Sequence, residues 1–462
     1  MSDDSAPRDE PGARGATGAG GAALDDAGAV VAAPDQPPEP GGRLRAVHRT
    51  TIATVATGLS IQAALVVSGP IVARLLGVAD RGYFALLVLF ATVVSQLGSL
   101  GVPQAIPFFV ADDARRGPAL ARALLRPVAV QIAALTAVHA VLVALYVAGE
   151  PAHVARAAWF TLAAVPGSIV QQYGLAFLQG HRRFRAFNAL RLTQPAGYAV
   201  ALAALFVAGD GDLALVCLVW VCALAAVGVA AVVAAAVVLA SVDDPVRDAP
   251  ALRDVARFGL RGLLGSVSPV DTFRIDQAVV GLFLSPAALG LYVVGLAFTN
   301  LPRFMAQSMG MVAYPHVAAQ TSAPAARRST WAFFYAAAAA CAAVVAALEI
   351  AAPQLVTGFF GDDFAGATTV TRILLLSALF AGARRVLADG ARGAGRPGLV
   401  TVGELASWAV LAPALALLAP RWGLAGVAWA LVASSAAGLA VSVAIFGSSG
   451  DAPLLARRAH AR

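Results

Sequence analysis

Residues 74–111, RLLGVADRGYFALLVLFATVVSQLGSLGVPQAIPFFVA, decide the reading of the chain, because a faint copy of this stretch returns 208 residues later. Leu76, Gly82, Phe90 and Pro107 recur as Leu284, Gly290, Phe298 and Pro315. Between these fixed points lies an apolar segment of about 28 residues, enough to cross a bilayer of roughly 30 Å at 1.5 Å per residue. Each copy therefore reads as a membrane helix. A polar stripe at helical spacing runs along both: Thr92, Ser95 and Ser99 in the first, Asn300, Arg303 and Gln307 in the second. Lipid gives such a stripe no partner, so the two helices are expected to face one shared polar space between two repeats.

Working outward, the whole chain has the same character. Hydrophobic residues make up 59% and charged residues 13%, and the mean hydropathy is +0.76, outside the range of soluble domains. The fold class is all-α and polytopic. All 33 basic residues are Arg, which excludes a Walker A lysine and a lysine Schiff base. Cys217, Cys222 and Cys341 lie in apolar segments as small hydrophobes, without the spacing of a metal cluster. The net charge of +7 is spread between apolar spans and forms no basic domain, so nucleic acid is not an expected partner.

Residues 1–48 are rich in Gly, Ala, Pro and Asp and read as a disordered cytoplasmic tail without the pattern of a signal peptide. Twelve spans follow, near 50–73, 83–110, 125–148, 157–179, 188–208, 213–240, 258–284, 290–317, 331–356, 367–388, 399–418 and 422–446. Alternate loops collect arginines: Arg115, Arg116 and Arg122, then Arg182, Arg183 and Arg185, then Arg247, Arg253 and Arg257. The opposite loops hold acids such as Asp210, Asp212, Asp362 and Asp363. The positive-inside rule then places both termini in the cytoplasm and the chain in the cytoplasmic membrane. An N-lobe over 49–240, a cytoplasmic linker over 241–257, a C-lobe over 258–446 and a tail over 447–462 complete the division. Six spans per lobe return the chain to its starting side, so the repeats are parallel, an arrangement that suits a transporter. Outer loops of about ten residues are too short for a catalytic domain, which speaks against an enzyme.

Arg303 falls near the middle of the eighth span, where an arginine costs about 2.5–3.5 kcal/mol on insertion scales. It either holds an anionic group in a wet cavity, for which its planar fork is suited, or pairs with an acid on a neighbouring helix. Asn300 and Gln307 extend its face. The seventh span brings Asp271, Arg274 and Asp276 together; Asp271 and Arg274 can pair along one helix face, while Asp276 needs another partner or serves as a proton or sodium site. Gln62, Gln171 and Gln172 lie within spans, where an amide needs a hydrogen bond. Glu349 and Glu404 lie nearer span ends. The candidate substrate contacts are Arg303, Arg274, Asn300, Gln307, Gln62, Ser95 and Ser99, with Asp271 and Asp276 as candidates for ion coupling.

ARLLGVADRGYFAL followed by LGSLGVPQAIPFFVA resembles the opening helices of bacterial polysaccharide flippases of the Wzx type, a branch of the multidrug, oligosaccharidyl-lipid and polysaccharide flippase superfamily. The resemblance continues in FRIDQAVVGLFLSPAALGLYVVGLAF, GMVAYPHVAA, FLQGHRRFRAFNALR and GARGAGRPGLV. It implies two six-helix lobes in a V around a central cavity, and alternating access that moves polyprenyl pyrophosphate-linked oligosaccharide outward. Arg274, Asp276 and Arg303 match charged positions on cavity-facing helices of that pattern. Implied partners are the lipid-linked glycan, membrane lipids, a polysaccharide polymerase and glycosyltransferases; no cofactor is implied beyond H+ or Na+ coupling. A cation-coupled multidrug exporter of the same fold and a non-transporting scaffold of a glycan assembly complex stand as alternatives.

Overall fold

The computed structural model describes residues 40–265, 274–396 and 398–448. The expected tails lie mostly outside these residues, as does Asp271. Residues Met1–Arg49 form a unit of their own, described only as helix from Pro40, and Thr50–Arg462 form one compact unit.

The described residues are almost entirely helical. They comprise α1 (Pro40–Gly98), α2 (Val102–Asp112), α3 (Gly117–Val147), α4 (Ala152–Phe160), α5 (Ala164–Gly180), α6 (Phe184–Ala208), α7 (Leu213–Ala240), α8 (Leu252–Gly265), α9 (Ile275–Phe283), α10 (Pro286–Ala318), α11 (Ala323–Phe360), α12 (Ala367–Gly393) and α13 (Gly398–Ser448). Seven of these helical runs are long and apolar enough to cross a membrane. Two of the seven count double. At Gly77 (φ 69°, ψ −176°) the chain leaves helical geometry inside α1, and at Gly423 (φ 53°, ψ −127°) it does so inside α13. Only glycine enters those regions without strain, so each run folds into two passes. The remaining passes are α4 with α5, α12, and the seventh span, whose described ends are α8 and α9; these are interrupted or carry charges. Twelve passes in two six-helix lobes result, as the sequence predicts.

Small residues let the passes pack. On the α5–α7 interface a Cβ at Gly228 would stand 2.8 Å from the Gly167 carbonyl oxygen, and one at Gly174 would stand 2.7 Å from the Ala231 backbone. Within α13, Gly403 faces Ser442 and Gly438 faces Ser407 in the same manner. In a bilayer, where apolar burial gives no drive between helices, close backbone approach supplies the association through van der Waals contact. The opposite faces are apolar and exposed, with Val138, Val141 and Leu145 on α3 and Val229, Val233 and Val237 on α7. Those faces belong to the lipid.

The repeat has a structural counterpart. Gly82 packs against the Pro286 carbonyl and Gly290 against the Val78 carbonyl, each so closely that a Cβ would collide. Val78 and Pro286 are themselves 208 residues apart, the repeat offset. The two copies therefore cross through a pair of equivalent contacts, as a pseudo-twofold axis requires. Leu86, Leu89, Val280, Leu289 and Tyr292 fill the core next to this crossing.

Candidate functional site

The first stripe lies on the second pass, and that pass is broken. The sequence predicts a continuous span over 83–110, but the helix ends at Gly98 and restarts at Val102. Leu100 and Gly101 both take left-handed backbone (φ 51° and 69°), and Pro103 opens the first turn of α2. The breakers are visible in GSLGVP, where glycine stops one helix and proline starts the next. The break frees the Gly98 carbonyl, which accepts from Gln131 Nε2 of α3 at 2.7 Å, while Gln131 Oε1 accepts from the Tyr173 hydroxyl of α5 at 2.9 Å. Gln131 thus staples three helices at the broken turn. Its role depends on tertiary position and left no mark in sequence periodicity.

Beside the break is a cavity of about 150 Å³ lined by Thr92, Ser95, Gln96, Ser99, Pro103, Gln104, Ser168 and Gln172. The stripe Thr92, Ser95 and Ser99 is legible in the sequence; Gln96 extends it on the same helix, and Gln104 joins it from α2 beyond the break. Ser168 and Gln172 face it from α5 at an i, i+4 interval. Ser95 Oγ donates to the Ala91 carbonyl at 2.7 Å and Ser99 Oγ to that of Gln96 at 2.8 Å, which leaves their oxygens as acceptors. No charged residue lines the cavity. All eight residues come from the first lobe. The helix break and α5 flank the first stripe, with Ser95 and Ser99 buried, Gln96 and Gln172 half-buried and Gln104 exposed.

The second stripe stands differently. α10 is unbroken, and its buried face, including Tyr292, Thr299, Pro302, Ala306 and Gly310, packs on α12. Asn300 and Gln307 are exposed beside that face, and Arg303 is half-buried. Asp276 on α9 is only 1% exposed and accepts the Tyr292 hydroxyl on Oδ2 at 2.8 Å. The charges of Arg303 and Arg274 both act on this carboxylate. The expected geometry of the seventh span needs correction at one point. Arg274 is not inside a helix but precedes α9 in left-handed backbone (φ 47°, ψ 43°), outside the continuous helix that the sequence predicts for the seventh span. A carboxylate, a phenol and two guanidinium groups gather here within the membrane, an arrangement that needs charge compensation and a polar surround.

The other polar residues divide between partners and open space. Gln171 Nε2 donates to Gln194 Oε1 at 3.0 Å and joins α5 to α6, whereas neighbouring Gln172 faces the cavity. Gln62 is half-buried. Glu349 lies 3.8 Å from Arg372, and Glu404 lies 2.8 Å from Arg384, so each answers an arginine on an adjacent pass. Cys217 and Cys341 are buried, but Cys222 is exposed.

Residues 71–369 match the model of a family described as polysaccharide biosynthesis protein. No curated protein matches the chain in sequence. Among solved structures, a lipid II flippase (MurJ, inward closed conformation) superposes with a TM-score of 0.67 at 10% identity, covering 86% of this chain and 87% of that one. An inward-facing multidrug resistance transporter of the MATE family gives 0.62 at 15% identity, with 85% and 97% covered. A MOP superfamily transporter from Pyrococcus furiosus, described by the reverse polarity of its binding pocket, gives 0.58 at 15% identity, with 87% and 96% covered. At these identities the likeness is one of fold.

Proposed function

Because the chain belongs to the polysaccharide biosynthesis protein family, we propose that it is a flippase that carries a polyprenyl pyrophosphate-linked oligosaccharide across the cytoplasmic membrane by alternating access. The observation that carries this reading is the cluster of Asp276, Tyr292 and Arg303 on helices of the second lobe with Arg274 just before α9. Two guanidinium groups offer the forked, delocalised cation that suits a pyrophosphate. Asn300 and Gln307 extend the same polar face, and Gln62, Ser95 and Ser99 supply uncharged contacts in the first lobe. Asp276, held by Tyr292, is the group through which a proton or sodium ion couples to transport, with Asp271 a second carboxylate in the same span. The arginine-rich loops face the cytoplasm together with both termini. The crossing at Gly82 and Gly290 then shuts the outer end, and the substrate enters from the cytoplasmic leaflet. The polyprenyl tail stays in lipid throughout, and glycosyltransferases and a polymerase act before and after this step.

The test is reconstitution. Proteoliposomes loaded with a fluorescent polyprenyl pyrophosphate-linked oligosaccharide are probed with a membrane-impermeant glycosidase. Substrate should cross faster than in empty vesicles, and Arg303→Gln should slow it by about 100-fold, the scale set by losing a charge-assisted contact. Movement no faster than in empty vesicles, or an unaffected variant, would overturn the reading. Transport of a cationic drug that depends on Asp276 would instead favour a multidrug exporter.

A further inference from the structure

We propose that the cavity between the broken second pass and α5 is a subsite for one uncharged sugar ring, so that the two lobes divide the headgroup between them: sugar in the first, pyrophosphate in the second. The inference rests on the pyrophosphate reading for its context, yet its evidence is separate.

The lining decides the chemistry. Gln96, Gln104 and Gln172 bring three side-chain amides, and Thr92, Ser95, Ser99 and Ser168 bring hydroxyl groups. An amide within a membrane protein is costly unless it is hydrogen-bonded. Two neighbouring glutamines have protein partners: Gln171 of α5 has Gln194, and Gln131 of α3 has Gly98 and Tyr173. The amides of Gln96, Gln104 and Gln172 make no hydrogen bond to described residues and line the cavity, the first and last half-buried and Gln104 exposed. Each offers two donors and an acceptor, the pattern that meets vicinal hydroxyls. The Pro103 ring adds an apolar surface for the C–H face of a ring. Few convergent polar groups in a concave site are the mark of a ligand pocket.

Other occupants fit poorly. A carboxylate or phosphate would lose its hydration with no cation in the lining to replace it, and a cationic drug would find no carboxylate. An acyl chain would strand the amides. The helix break adjoins the site: left-handed backbone at Leu100 and Gly101 interrupts the helix beside the cavity, and Gln131 donates to the Gly98 carbonyl there. The stapled break belongs to the first copy of the repeat, whereas α10 is continuous.

The probes are three: bare farnesyl pyrophosphate, farnesyl pyrophosphate carrying one neutral hexose, and the same lipid carrying one hexuronic acid. Each is titrated calorimetrically into the full-length protein in nanodiscs. The neutral hexose should tighten binding over the bare lipid by about tenfold, the scale of a few hydrogen bonds gained in a preformed site, and the uronic acid should give no such gain. In Gln96→Leu and in Gln172→Leu the gain should shrink below about twofold, whereas Gln171→Leu, whose amide serves the α5–α6 contact, should keep it. A thermal melt of each variant separates loss of fold from loss of the subsite, and Ser168→Val serves as the milder substitution where a leucine unfolds the protein. A hexose gain that survives all the cavity substitutions, or a uronic acid that gains as much, overturns the proposal. If the bare lipid does not bind at all, the pyrophosphate reading fails on its own, and a soluble methyl hexoside then tests the cavity directly. Stabilisation by that glycoside in the wild type and not in Gln172→Leu supports the subsite; its absence from both leaves only water in the cavity and overturns the proposal.

Discussion

The two copies of the repeat share a backbone contact and diverge in what they carry beyond it. In the first copy the helix breaks at Leu100 and Gly101, and its stripe of Thr92, Ser95, Gln96 and Ser99 lines an uncharged cavity. In the second, α10 runs unbroken from Pro286 to Ala318, and Asn300, Arg303 and Gln307 stand on a half-exposed face beside the buried Asp276 and Tyr292. The crossing of Gly82 and Gly290 is common to both, with each glycine against the carbonyl that the repeat offset predicts. A symmetric pivot sets where the lobes meet, while side chains farther along the same helices are free to specialise. This is how one duplicated element can serve two chemistries, with charge on one side and neutral hydrogen bonding on the other.

The largest effect should come from the shared part. Gly82→Leu and Gly290→Leu each force a side chain into backbone, a form of overpacking that costs about 1–3 kcal/mol or more, and each should abolish glycan export in cells while protein abundance in the membrane is followed by immunoblot. If only one of the two matters, the crossing is not a symmetric pivot. Next in size is the charged cluster. Arg303→Gln should lower transport by about 100-fold, and Arg303→Lys should fall between it and the wild type, because the charge remains and the fork is lost. Equal behaviour of lysine and glutamine would show that charge alone has no part.

Smaller effects separate structural from ligand-facing polar groups. Tyr292→Phe leaves the buried Asp276 without its hydroxyl partner and should destabilise the protein by about 1–3 kcal/mol, read as a lowered thermal midpoint. Gln131→Leu removes the staple at the broken turn and should cost a similar amount; a melt indistinguishable from the wild type would mean that the break holds itself. The least change is expected for Gln171→Leu, since interhelical side-chain hydrogen bonds in membranes average about 0.6 kcal/mol. A larger loss there than at Gln131 would invert the assignment of glue and staple.

Much of this was legible in sequence. The twelve passes followed from apolar runs and arginine-rich loops, and the 208-residue offset marked Gly82 with Gly290 and the first stripe with the second. The break at Gly101 was written in GSLGVP but masked by the apolar residues on either side, which carry a span pattern straight through it. The positive φ of Arg274 had no sequence signal, because arginine rarely enters that region and only the packing of α9 shows it there. Gln131, Tyr173 and Tyr292 act through contacts between distant passes, and helical periodicity reports a face without reporting what meets it. The placement of α5 beside the first stripe belongs to the same class: Ser168 and Gln172 gain meaning only once Gly167 and Gly174 have brought α5 against α7.

The division of labour between the two stripes is tested most directly by titrating bare farnesyl pyrophosphate, at low and high salt, into the wild type and Arg303→Gln, with Gln171→Leu as a control for handling. Binding that weakens with salt in the wild type and in Gln171→Leu, and that is lost in Arg303→Gln, is the predicted result. Undiminished affinity in Arg303→Gln, or affinity that ignores salt in every protein, would contradict it.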